Sequence, residues 1–377
     1  MSATAGSDRL LDRFVRLCEI PSPTGEERAV ADAVLGELRQ LGVDAFEDDA
    51  AAAARAGAGN LVARLPGTGE GWVMFCAHLD TVPERGQIEV ELADGVYRSK
   101  GETILGADNK AAVTVLVELA ARAAAGPPPP TGLELVFTVA EEDGLRGAKE
   151  LDLGALRAPF GYVLDHASPI GEVIVAAPTY NRIEAEFRGA EAHAGIRPED
   201  GHSAIAAAAA AVGAMQLGRL DPETTANVGV IAGGTASNVV PGSCRFDAEA
   251  RGLDETRAAA ATQAFVDACA WGAGEHGCDL EVDVREMFRG YRLRPSSPAV
   301  DIAREALRRC GHEPVEKTTG GGSDANAFCA RGFDAVLLAN GTDANHTPDE
   351  SVAAGRIAEM LAACEAIAAE SGRRPAT

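Results

Sequence analysis

The strongest constraint on this chain is a change, and a later return, in the order of its elements. Runs 72–77, 133–140 and 160–164 are short and almost continuously apolar, and they alternate with helical patterns. Strands of that kind interleaved with helices predict a parallel or mixed sheet covered on both faces. Near the start, Leu10, Leu11, Phe14, Val15 and Cys18 recur at helical spacing. A second helix is expected from Thr24, with Glu27 as its capping-box partner, ending at Gly42. The run 88–99 alternates around Asp94-Gly95, a hairpin signal. Residues 109–124 read as an Ala-rich helix stopped by Gly126 and four prolines. From about Val175 the order becomes strand 183–187, helix 202–217, strands 227–231 and 245–250, helix 255–271 and strand 279–287. That is the β-α-β-β-α-β sequence of a small two-layer domain. After Tyr291 the first pattern returns, with helices at 298–310 and 350–370 and a strand at 335–339. The expectation is one α/β domain built on a mixed sheet from residues 1–175 and 292–377, interrupted by an inserted two-layer α/β domain at 176–291.

Charge narrows the partners. The net formal charge is −23, which argues against nucleic acid and against anionic lipid, both of which need a basic face. No apolar run approaches the roughly 20 residues of a membrane span. Residues 1–14 lack the apolar core of a secretory leader, so the expected compartment is the cytoplasm. The 8 cysteines are scattered without CxxC pairs and read as reduced thiols.

Five candidate ligand signals stand where predicted strands end, the place where open α/β sheets gather their sites. His78-Leu79-Asp80 closes the first apolar strand. His78 is a metal-ligand candidate with Asp80 on its other ring nitrogen, or the pair is a strand-end hydrogen bond. Asp108, in Gly106-Ala107-Asp108-Asn109-Lys110, is a ligand or a helix N-cap. Glu141-Glu142 is a pair of like charges needing a cation, or a solvated loop. Asp165 is a ligand or a turn residue, and His346 a ligand or a polar loop residue. Taken together, two histidines and three carboxylates suit zinc, cobalt or manganese better than calcium. Two divalent cations carry +4. Asp108, Glu142 and Asp165 with one hydroxide balance them, which leaves Glu141 as a base. Two such ions lie about 3.5–4 Å apart and share the water.

These motifs, in this order, resemble the zinc peptidase and amidohydrolase family of peptidase T, carboxypeptidase G, aminoacylase and succinyl-diaminopimelate desuccinylase, with the peptidase-T-like branch nearest. The resemblance covers nearly the whole chain. It implies a dinuclear metallohydrolase domain with an inserted lid or dimerisation domain. Asp108 would bridge two divalent metal ions, zinc first and cobalt or manganese as alternatives. His78 and Asp165 would complete one site, Glu142 and His346 the other. Asp80 would orient His78, Glu141 would be the general base, and the bond Asp108-Asn109 would be cis. Segments 191–195, 198–201, 204–205 and 233–241 resemble the family's lid signature. His193 would reach a partner subunit's active site and polarise the scissile carbonyl. Asn238, Arg251 and the loop containing Gly321 would meet substrate. The glycines at 320–322 lack the lysine and spacing of a phosphate loop.

The implied activity is hydrolysis of an amide bond in a small peptide by an activated water, as an aminopeptidase or tripeptidase-like exopeptidase acting as a homodimer through the lid. An N-acyl amino acid deacylase or a carboxypeptidase uses the same chemistry. A non-catalytic metal- or ligand-binding protein is the alternative of another class, and its mark would be a missing ligand or base. All five ligands and Glu141 are present.

Overall fold

The computed structural model describes residues 3–373. Met1 and Ser2 of the stretch read for a leader, and residues 374–377, lie outside the described residues. The chain divides into two compact units, one of Met1–Val175, Leu293–Thr318 and Ser323–Thr377, the other of Ala176–Arg292 with Thr319–Gly322.

In the first unit the sheet is mixed. Strand Trp72–His78 runs parallel to Gly132–Thr138 and to Phe160–His166, which in turn runs parallel to Asp334–Ala339. Leu61–Leu65 joins Gly132–Thr138 antiparallel, and Asp44–Glu47 extends that edge. Every residue of Gly132–Thr138 is buried. Successive side chains of a strand point to opposite faces, so both faces of the sheet are covered. Helix Ala107–Ala125 packs on Trp72–His78 and against helices Ala3–Cys18 and Ala354–Ser371. Helix Asp324–Ala330 packs on Asp334–Ala339 and Phe160–His166. A smaller sheet pairs Thr342–Asp343, Ser351–Ala353, Val96–Ser99 and Val90–Ala93. Its Asp94-Gly95 turn has positive φ at both residues, 51° and 78°, as the sequence signal requires.

The second unit has a five-stranded antiparallel sheet in the order Gly218–Asp221, Thr224–Gly233, Ser243–Gly252, Thr179–Arg188, Asp279–Phe288. The short strand Gly218–Asp221 is additional to the expected order. Ile183, Ala185, Phe187, Phe246, Ala248 and Ala250 face a core closed by helices Ala204–Ala214 and Glu255–His276. A Cβ at Gly272 would stand 2.5 Å from the carbonyl oxygen of Ala207, so the close approach of these two helices requires glycine there. The alternate strand positions carry charge: Arg182 pairs with Glu184, and Arg188 with Glu186 and Glu281.

Two local expectations give way to tertiary contacts. The helix expected from Thr24 begins at Arg28, and Glu27 makes no side-chain cap. The last helix begins at Ala354, not near residue 350. In both places the displaced residues serve the site described next. All eight cysteines are free. Among the described residues no helix is long and apolar enough to cross a membrane.

Candidate active site

The carboxyl ends of the parallel strands bring the first unit's predicted residues together. His78 is the last residue of its strand and 2% exposed. Its Nε2 lies 3.3 Å from Asp108 Oδ1 and 3.3 Å from Asp165 Oδ1. His346 Nε2 lies 3.2 Å from Asp108 Oδ2 and 2.9 Å from Glu142 Oε1. Asp108 therefore stands between the two histidines. His78, Asp108 and Asp165 offer ligand atoms all within 4.8 Å of one another, as do Asp108, Glu142 and His346, and also His78, Glu141 and Glu142.

Backbone geometry aims these groups. Asp108 and Asn109 have non-helical φ/ψ within the first turn of Ala107–Ala125, and the bond between them is cis. Ala140 and His346 have φ of 50° and 66°, a left-handed conformation that non-glycine residues adopt at a cost and that clusters at functional sites. Asp165 lies inside its strand, not after it, and accepts a hydrogen bond from Asn109 Nδ2 at 3.4 Å. The His166 that follows it is the last residue of that strand.

Asp80 meets His78 through its backbone more closely than through its side chain. Nδ1 of His78 lies 2.9 Å from the backbone carbonyl oxygen of Asp80 and 3.6 Å from its carboxylate. The carbonyl is thus the closer partner of the ring. The carboxylate accepts the backbone N–H groups of Glu141 and Glu142 and the hydroxyl of Thr24.

The electrostatics are those of crowded, buried negative charge. Burial, reinforced by Asp165 and Glu142, raises the Glu141 carboxyl well above its ordinary range. Burial likewise raises Glu142, with Asp108 adding to the effect, and pushes Asp165 up to about 8 with the help of Asp108. Burial disfavours charge on Asp108 too, but the hydrogen bond from His346 and the neighbouring His78 ring outweigh it and hold this carboxyl low. His346, hydrogen-bonded to Asp108 and Glu142, is raised to about 10. Oδ1 of Asp108 is buried and accepts no hydrogen bond. Three buried carboxylates and two imidazoles, with an orphaned oxygen between them, fit divalent cations, which relieve this repulsion and take nitrogen and oxygen donors together.

Three residues of the site, Glu27, Thr24 and Glu350, escaped the sequence reading, and a fourth, Asp324, was expected only as part of the Gly-rich loop beside the substrate. Glu27 accepts the amides of Gly25, Gly57 and Ala140, anchoring the turn before Glu141. Thr24 binds Asp80. Glu350 accepts the amides of Leu105, Gly106 and Asp108. Asp324, 1% exposed, accepts the Thr138 hydroxyl at 2.5 Å, and its Oδ1 has no hydrogen-bond partner; burial raises it to about 6. The only local signal was proximity: Glu350 follows His346 by four positions, and Asp324 follows the Gly-rich turn.

The remaining candidates belong to the second unit. His193 is exposed, and its Nδ1 lies 3.2 Å from the N–H of Gly195. The carbonyl of Asn238 accepts the N–H of Ala194 at 2.9 Å. The Arg251 guanidinium lies 4.2 Å from the centre of the Tyr180 ring, pairs with Glu249 at 3.0 Å and donates to the carbonyl of Gly320 at 3.2 Å. Gly321 donates its N–H to Thr319 Oγ1.

The profile of Peptidase family M20/M25/M40 matches residues 74–370. The Bacillus subtilis (strain 168) protein YqjE is 37% identical over 362 residues, covering 96% of this chain and 97% of that one. The crystal structure of aminopeptidase PepT from Bacillus cereus ATCC 10987 superposes with a TM-score of 0.87 at 37% identity, covering 98% of this chain and 99% of that chain. A tripeptidase structure from Staphylococcus aureus subsp. aureus Mu50 gives 0.92 at 34% identity, with 98% and 99% covered. With the fold, the donor set and these likenesses in agreement, the chain belongs to the peptidase family M20/M25/M40.

Proposed function

We propose that this protein is a dinuclear metal-dependent exopeptidase that cleaves an amide bond of a small peptide, in the manner of an aminopeptidase or tripeptidase. One observation carries the reading: two donor triads share Asp108, and Glu141 stands beside them with its amide held by Asp80. The names of the PepT and tripeptidase structures support the substrate class. We assign His78, Asp108 and Asp165 to one cation and Asp108, Glu142 and His346 to the other. We take zinc as the resident metal, with cobalt or manganese accepted by the same donors. When bound, the two cations supply Lewis acidity that polarises a carbonyl and acidifies a water.

Glu141 accepts a proton from the attacking water and passes it to the leaving amine, so both proton transfers use one carboxylate. A carboxyl already raised by burial is suited to both halves of that task. Asp80 positions Glu141 and His78. His193 is assigned as donor to the developing oxyanion, and Asn238, Arg251 and Gly321 as substrate contacts. Further proposals are a lid or dimerisation role for the second unit, a homodimer, and a cytoplasmic location.

The test is a panel of tripeptides, dipeptides, C-terminally blocked peptides and N-acetyl amino acids, with metal analysis, with and without a chelator. Turnover of tripeptides from the amino end, lost on chelation and restored by Zn²⁺, Co²⁺ or Mn²⁺, is expected. Release of C-terminal residues, or turnover confined to N-acetyl amino acids, would replace the exopeptidase assignment with carboxypeptidase or deacylase. Chelator-resistant turnover would overturn the metal mechanism.

A further inference from the structure

Glu350 lies at the end of the loop that carries His346. The strands Thr342–Asp343 and Ser351–Ala353 pair antiparallel, so residues 344–350 form a closed loop with His346 within it and Glu350 at its return. The Glu350 side chain is 1% exposed. One carboxylate oxygen accepts the N–H groups of Leu105 and Gly106, each at 2.8 Å, and the other accepts the N–H of Asp108 at 2.8 Å. Among the described residues no cationic side chain pairs with it; its partners are three amides of the turn that introduces Asp108. Gly106 in this turn has φ +74°, so the turn depends on glycine and on external hydrogen bonds for its shape.

Resting on the two-cation reading, we infer that Glu350 is a positioning residue that couples the His346 loop to Asp108 and so assembles the second metal site. The argument is one of support. His78 and Asp165 lie on strands of the central sheet, so the first triad keeps two rigid members whatever happens to the turn. The second triad has Asp108 on the turn and His346 on an exposed loop, with Glu142 after the Ala140 turn. Glu350 is the carboxylate that ties the first two of these together. Partners that orient ligands commonly carry about 10–100-fold in metal affinity.

Chemistry makes the glutamine variant informative. In Glu350→Gln the amide oxygen still accepts Leu105 and Gly106, but its NH₂ faces the N–H of Asp108, donor against donor. The fold-preserving change therefore falls on Asp108. Full-length protein is stripped of metal and dialysed against graded free Mn²⁺, and bound metal is counted for wild type, Glu350→Gln, Glu350→Ala and the control Asp349→Asn. Thermal melts of the metal-free forms run alongside. The expected result is two ions for wild type and Asp349→Asn, and for Glu350→Gln one ion near wild-type affinity with the second weakened about 10–100-fold. Glu350→Ala should weaken it at least as much, and if that variant does not fold, Glu350→Gln decides. Two ions of unchanged affinity in a folded Glu350→Gln overturn the inference and leave the two-cation reading standing. Equal loss of both ions also overturns it. A wild type that binds fewer than two ions overturns the two-cation reading, and this inference with it.

Discussion

The Asp80 carboxylate accepts the backbone N–H of Glu141 at 2.9 Å and that of Glu142 at 3.2 Å. One residue thus sets the position of both the assigned base and an assigned ligand, while its own carbonyl fixes the ring of His78. Removing the carboxylate leaves two buried amides unpaired, each costing about 1–3 kcal/mol. Asp80→Ala is expected to lose about 10–100-fold in kcat and to bind metal more weakly. Asp80→Asn, which keeps one accepting oxygen, should lie between it and wild type. Steady-state kinetics with metal analysis checks this, and wild-type turnover in Asp80→Ala would refute the positioning role.

Glu141 belongs to neither of the two triads that share Asp108. Glu141→Ala should therefore keep both cations while losing the proton transfers, a factor of about 10²–10⁴ in kcat. Metal content and turnover measured on the same preparation separate the two effects. Loss of a cation in step with activity would make Glu141 a ligand, the role open to it in the His78, Glu141, Glu142 group.

What could be read from the sequence follows from how local each signal is. His78, Glu141 and Asp165 stand at or just beyond apolar runs, and the sheet carries them to one edge, so alternation of elements was enough to group them. The hairpin at Asp94-Gly95 and the two-layer order of the second unit are equally local. Glu350 was not legible because its partner Asp108 is 242 positions away, and its surroundings read equally well as a helix start. Thr24 and Glu27 satisfied a local capping rule, but the distant amides of Gly57 and Ala140, with the nearby one of Gly25, took the Glu27 carboxylate, and the Thr24 hydroxyl donates to Asp80. Asp80 was expected on the other ring nitrogen of His78, and there its backbone carbonyl, at 2.9 Å, stands closer than its carboxylate, at 3.6 Å. The amide contacts of its carboxylate depend on the Ala140 turn, which has no marker glycine.

The metal-free protein should become less stable as pH rises. Burial, with Asp108, holds Asp165 up at about 8, against about 3.9 in the unfolded chain. Hydrogen bonds to Asp108 and Glu142 hold His346 at about 10, against about 6.5 unfolded. Both groups keep protons in the folded state that the unfolded state has released. The stability His346 contributes is complete below its unfolded value and is lost as pH rises through its folded one, and Asp165 acts in the same direction below about pH 8. The melting temperature in chelator is expected to fall from about pH 6.5 to about pH 10. With saturating Zn²⁺ or Mn²⁺ the trend should flatten or reverse, because the ligands bind metal in their deprotonated forms. Parallel pH profiles with and without cation would contradict the assignment of these groups as ligands.

His193 offers the sharpest test of whether the second unit takes part in the reaction. The N–H of Gly195 lies 3.2 Å from its Nδ1, which sets that nitrogen as the acceptor and leaves Nε2 to carry the proton. A ring whose Nδ1 accepts that N–H turns its Nε2–H outward as a donor to an oxyanion, an interaction that strengthens only as charge develops on the substrate oxygen. Its removal should therefore fall on kcat and spare KM. His193→Ala is expected to lose about 10²–10³-fold in kcat with little change in KM, metal content or melting temperature, because the side chain is exposed. His193→Gln, with its own N–H donor, should recover part of the loss. A change confined to KM would instead make His193 a ground-state binding contact, and unchanged kinetics would remove it from the reaction.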